Sequence, residues 1–229
     1  MRLLRCAALL LIACSPETAR ETRTCFPSAG ATGAPVTVAE AVALLNVLPR
    51  PVTAACFVES LDRPLGLAAT RSTTSAQPAA GSRSPRIFLF SGPLIISVVA
   101  EGAGAEVLEF SELDLATERS VKAELHVPIT ATLRPEDPFT GFNFGSGATS
   151  CSLCHAGEEV AYTAGTARAF SSAALRPTDE SLVSLPSLQQ QAEACDAAAE
   201  PERCALLDAL FEHGDVRSQA FPEELPTFF

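Results

Sequence analysis

The spacing of apolar residues changes character along this chain, and each change predicts a different element. In "TVAEAVALLNVLPRP" Val42, Leu45 and their apolar neighbours form a helical stripe. Thr37 and Glu40 stand at capping-box spacing ahead of it, and Pro49 and Pro51 stop it. "TAACFVESL" follows as an expected strand, and residues 70–86, "TRSTTSAQPAAGSRSPR", have the composition of a loop. "IFLFSGPLIISVVAEG" is rich in β-branched and aromatic residues and is broken at Gly92-Pro93, so it predicts two buried strands rather than a membrane span. "EGAGAE" reads as a hairpin turn, without the spacing of a nucleotide-binding loop. "EVLEFSEL" and "SVKAELHVPITATL" alternate apolar and polar, as half-buried strands do.

A small antiparallel sheet or sandwich over about residues 52–134 accounts for this middle region. Beyond it, "RPEDPFTGFNFGSGATS" is a loop with Phe139, Phe142 and Phe144. From there the chain is expected to turn helical, in "SLPSLQQQAEACDAA" and in "EPERCALLDALFEHGD", where Pro201 marks a first turn and Gly214 a C-terminal cap. The expected fold class is α+β: an antiparallel β region followed by a mostly helical C-terminal region. The expected divisions are 1–13, 14–35, 36–135 and 136–229. Residues 15–35, polar and rich in Gly, Pro and Thr, form a tether within the second of these.

The first division changes the compartment. "MRLLRCAALLLIACSP" places Arg2 and Arg5 before an apolar run too short to span a bilayer, the pattern of a signal peptide. Its end, "LIAC", resembles the lipobox of bacterial lipoproteins. That resemblance implies cleavage before Cys14, a lipid on its sulfur and attachment to the membrane through that lipid. Ser15 follows where Asp would signal inner-membrane retention, which points to the outer membrane, facing the periplasm or the cell surface.

Charge excludes some partners. The 229 residues carry a formal charge of −11, and removal of residues 1–13 would take away two arginines and no acid. This balance argues against nucleic acid and against charge-driven docking on anionic lipid. It suits a basic protein partner.

Export gives the eight cysteines a meaning. Cys6 leaves with the signal peptide and Cys14 takes lipid. Of the six others, Cys151 and Cys154 lie in "CSLCH", with His155 directly after. Cys25, Cys56, Cys195 and Cys204 then remain, and proximity along the chain favours Cys25–Cys56 and Cys195–Cys204, although three disulfides and no cofactor satisfy the same parity.

Positions 151, 154 and 155 share one face of a helical turn. Cys-x-x-Cys-His is the attachment pattern of c-type haem, and over these five residues the chain resembles c-type cytochromes. The resemblance implies one covalent haem c, with Cys151 and Cys154 in thioether bonds and His155 as axial iron ligand. The competing readings are a structural disulfide beside an incidental histidine, a thiol–disulfide site and a zinc site. The last two lack a βαβ context and a fourth ligand, respectively.

Met1 is the only methionine, so a mature Met/His iron is impossible. For the sixth position the sequence offers His213, His126 or an open site. His213 is preferred over His126, which falls in a strand pattern, and otherwise reads as a helix C-terminal cap. Glu158-Glu159 read as solvated charge. No pattern of a hydrolase or transferase is present, and no catalytic residue is assigned. Two functions remain: an envelope lipoprotein with haem c for electron transfer to a partner protein or for redox sensing, and a disulfide-stapled envelope module without cofactor.

Overall fold

The computed structural model describes residues 24–27, 30–141 and 148–227. Cys14, Phe142 and Phe144 lie outside them. Two helices come first, α1 (Val38–Val47) and α2 (Ala54–Ser60). Five strands follow: β1 (Leu65–Thr70), β2 (Arg86–Ser91), β3 (Leu94–Val99), β4 (Val107–Asp114) and β5 (Arg119–His126). After the cysteine motif come β6 (Glu159–Ala164), β7 (Ala167–Ala173), α3 (Leu185–Glu193), α4 (Pro201–Phe211) and β8 (Val216–Ser218).

All eight strands join one sheet in the order β6-β7-β5-β4-β3-β2-β1-β8. Every pairing is antiparallel except that of β1 with β8. The expectation of a mostly helical C-terminal region is therefore corrected. Three of the eight strands lie beyond residue 158, and the sheet runs continuously across residue 135 through the β5–β7 pair. β6 conceals itself in sequence because its side chains are exposed almost throughout, so no apolar alternation marks it.

"TAACFVESL" is also corrected, from strand to helix. The Thr53 side chain accepts from the Cys56 amide at 3.1 Å and starts a turn, and the helix then buries Phe57 and Val58. A run this short has no readable period, so its packing decided its form. α1 matches its sequence signature: Thr37 caps the Glu40 amide at 3.1 Å. β2 and β3 meet at Gly92-Pro93, where Gly92 has φ +60°, the conformation glycine supplies at the first central position of a II′ turn.

Pleating gives the sheet two unlike faces. One presents Ile87, Leu89, Ile96, Leu108 and Leu125 to the helices, whose Leu44, Leu45, Phe57, Leu207 and Leu210 complete the core. Register aligns Phe88, Ser97, Glu109 and Glu124 on the other face, with Ser111 beside Lys122. Part of this polar face is covered by the 71–85 loop, whose buried Gln77 donates to the carbonyls of Ser97, Gly104 and Val107 and accepts from the Ser97 hydroxyl. Among the described residues no helix is long and apolar enough to cross a membrane.

Disulfides join Cys25 to Cys56 and Cys195 to Cys204. The second ties the end of α3 to α4. Replacing Cys195 and Cys204 together by Ser is expected to cost about 3 kcal/mol, chiefly by freeing the unfolded chain, and to lower the urea midpoint accordingly.

Candidate functional site

The cysteine motif sits on a single tight turn, Ser150–Leu153, that opens onto the polar face of the sheet. Thr149, wholly buried, starts the turn: its hydroxyl oxygen accepts from the Cys151 amide at 3.1 Å. Glu158 holds Thr149 in turn, accepting from its amide at 2.7 Å and from its hydroxyl. Glu158 is thus a structural partner of the motif, not the solvated charge expected of it. The Cys151 carbonyl accepts from the amides of Cys154 (3.1 Å) and His155 (2.8 Å), so the three motif side chains issue from one turn of backbone.

β7 anchors the far side. Its Ala173 uses both backbone groups on the motif: the amide donates to the Ala156 carbonyl at 3.1 Å, and the carbonyl lies 2.8 Å from His155 Nδ1. A carbonyl can only accept, so Nδ1 carries the proton and Nε2 keeps its lone pair. Arg119 secures the following loop by donating to the Gly157 carbonyl at 2.6 Å and to the Ser171 carbonyl at 2.8 Å.

The cleft in front of the motif has a volume of about 180 Å³. Cys151, Cys154 and His155 line it with the sheet residues Arg86, Glu109 and Lys122. Phe221 closes another wall, packed edge-on against Phe88 and Phe90 at 5.0 and 5.1 Å. Arg86 pairs with Glu109 and its guanidinium lies 4.9 Å from the Phe88 ring centre.

The cleft's charges are shaped by burial. Desolvation first, then the Lys122 ammonium, lowers the His155 imidazole to about 4, so it is neutral at pH 7. Burial raises the Cys151 thiol, outweighing the Thr149 hydrogen bond and the Lys122 charge that favour thiolate. Burial also lowers Lys122 to about 8. Glu124 is raised by burial and by the neighbouring Glu109.

Cys151 and Cys154 are the free cysteines among the described residues. The other expected site residues lie elsewhere. His213 follows α4 and precedes β8, and His155 precedes β6; these strands are opposite edges of the sheet, and His213 does not line the cleft. The His126 side chain is 71% exposed and faces Glu124 at 3.7 Å. Neither histidine is brought to His155. Sequence reading missed Lys122, Arg86 and Glu109 as site residues. Their signal was the alternation of β2, β4 and β5, which places them on the face away from the core without saying what covers that face.

Among the described residues no group of three or more His, Cys, Asp or Glu side chains is placed to hold a metal ion. A tetrapyrrole iron does not need such a group, because the ring supplies four of its ligands and the protein only the axial ones. The donor set fits that case: two free thiols at i and i+3, and an imidazole whose Nδ1 meets a carbonyl and whose Nε2 has no hydrogen-bond partner among the described residues. A ligating histidine usually donates its other ring N–H to a carbonyl or carboxylate, which fixes the ring. The closed part of the cleft is smaller than the roughly 300–1,000 Å³ of most ligand sites, so a large group must extend through its mouth. No family model, curated protein or solved structure matches the chain.

Proposed function

We propose that this chain is an envelope lipoprotein, anchored by lipid on Cys14, that carries one covalent haem c and serves one-electron transfer or redox sensing. The observation that supports the reading best is the state of the cysteines. Four of the described six are paired with one another, and the two left free are those of Cys-x-x-Cys-His, beside a histidine whose tautomer leaves Nε2 open.

In this reading the free thiols of Cys151 and Cys154 would hold the group covalently, each by addition to a vinyl carbon with its hydrogen passing to the neighbouring carbon, so no oxidant would be needed. His155 Nε2 would bind the iron, with the ring oriented by the Nδ1 contact to the Ala173 carbonyl. The bound haem supplies a one-electron iron couple whose potential depends on axial ligand and burial. The chain's part is to fix the imidazole, shade one side of the site with Phe221 and Leu225, and present the exposed Cys154 edge outward.

Protein made in cells that carry a cytochrome c maturation system tests this. The expected result is a haem stain that survives denaturing electrophoresis and a Soret band in the native protein. Wild type without either overturns the reading and leaves the disulfide-stapled module without cofactor.

A further inference from the structure

We infer that the sheet floor of this cleft is a binding site for a small monocarboxylate with an apolar body, its carboxylate seated on Lys122 and Ser111 and its body against Ile95 and Phe221. The inference stands apart from the haem reading: it concerns the sheet face onto which the cysteine turn opens and needs no cofactor.

The pairing of charges leaves one cation over. The charged side chains that line the cleft are Arg86, Lys122, Arg176, Glu109 and Glu124. Arg86 pairs with Glu109, and Arg176 with Asp179. Glu124 faces His126 at 3.7 Å. Lys122 has no carboxylate in ion-pair range among the described residues; its partners are two hydroxyls, Ser111 at 3.2 Å and Ser120 at 2.5 Å. An ammonium carries three protons, so one remains for a ligand. The Ser111 hydroxyl accepts from Lys122 and keeps its own proton to donate. The two side chains thus present neighbouring donors to the two oxygens of one carboxylate. An ammonium removed from water without a counter-ion costs stability, and an anion seated on it recovers that cost. One uncompensated cation suits a monoanion, because Glu109 and Glu124, paired in the next row of the sheet, repel a second negative charge.

Register sets the length of the site. Lys122 lies opposite Ser111, Ser111 opposite Ile95, and Ile95 opposite Phe90, in one row across the sheet. Ile95 is therefore two strands, about 10 Å, from Lys122. Phe221 closes that end, edge-on to Phe90 at 5.1 Å. The row runs from a cationic, hydroxyl-bearing end to an apolar, aromatic one. The cleft's volume of about 180 Å³ exceeds the roughly 150 Å³ of an apolar cavity that holds benzene and falls short of drug-sized sites. A single ring joined to a carboxylate by a short chain satisfies both limits.

Calorimetric titration of the full-length chain near pH 7 with 3-phenylpropionate, with its neutral amide and with inorganic phosphate tests this. Expected are a Kd of about 1 mM or tighter for the acid, an amide weaker by about tenfold or more, as for loss of a charge-assisted hydrogen bond, and phosphate no tighter than the amide. Lys122→Met keeps the length of the side chain and drops its charge, and should bring the acid down to the level of the amide. Lys122→Arg should keep the acid ahead of the amide. The comparison of acid with amide on wild type decides the matter even if a variant fails to fold. No binding of the acid at millimolar concentration, an amide as tight as the acid, phosphate tighter than the acid, or an unchanged affinity for the acid in Lys122→Met overturns the inference.

Discussion

A chain with both Cys151→Ala and Cys154→Ala is expected to lose all covalently held haem and still to unfold within about 1 kcal/mol of a haem-free wild type. The two halves of this result have separate causes. Thioether attachment needs the sulfurs, so no stain should survive denaturation. The fold, by contrast, takes little from these side chains: neither is in a disulfide, Cys154 is exposed, and Cys151 is only partly buried. The turn that carries them is built from backbone and from Thr149, Glu158 and Ala173, which the substitutions leave alone. Surface changes of this kind usually stay within about half a kcal/mol. Haem stain after denaturing electrophoresis and urea unfolding of protein made without the maturation system are the two measurements. Retained covalent haem would remove Cys151 and Cys154 from the thioether role. A large loss of stability would make the pair structural. Cys195→Ser with Cys204→Ser should do the reverse, lowering stability while the stain persists.

The second large effect lies under the site. Phe57→Ala is expected to cost about 3–5 kcal/mol, the range for removing a buried aromatic ring. Phe57 is wholly buried on α2 and meets Phe110 of β4 edge-on, with ring centres 6.0 Å apart. The contact joins the helix layer to the sheet whose opposite face floors the cleft. Removing the ring forfeits its apolar burial and the edge-to-face contact, and the neighbours cannot close the gap without moving β4. For a domain of this size the expected fall in melting temperature is roughly 10 °C. A change of under about 1 kcal/mol by denaturant unfolding would show that α2 does not pack on the sheet in this way.

What the sequence determined on its own was local. The Thr37–Glu40 cap, the Gly92-Pro93 turn, the alternation in β4 and β5, and the Cys195–Cys204 pairing are each carried by residues within a short stretch of chain. So is the tight turn that brings Cys151, Cys154 and His155 together, since i, i+3 and i+4 depend on one turn of backbone. The tertiary structure decided the rest. α2 became a helix because a seven-residue stretch is too short to show a period and its packing chose for it. β6 and β8 joined the sheet at its two edges, β6 with exposed side chains and β8 with three residues, so neither left an apolar pattern to read. That edge placement is also what separated His213 from His155. Lys122 reached the cysteine motif for the converse reason: register between β4, β5 and β7 is set by burial of the opposite face, and it brings together residues about thirty positions apart that no local spacing connects.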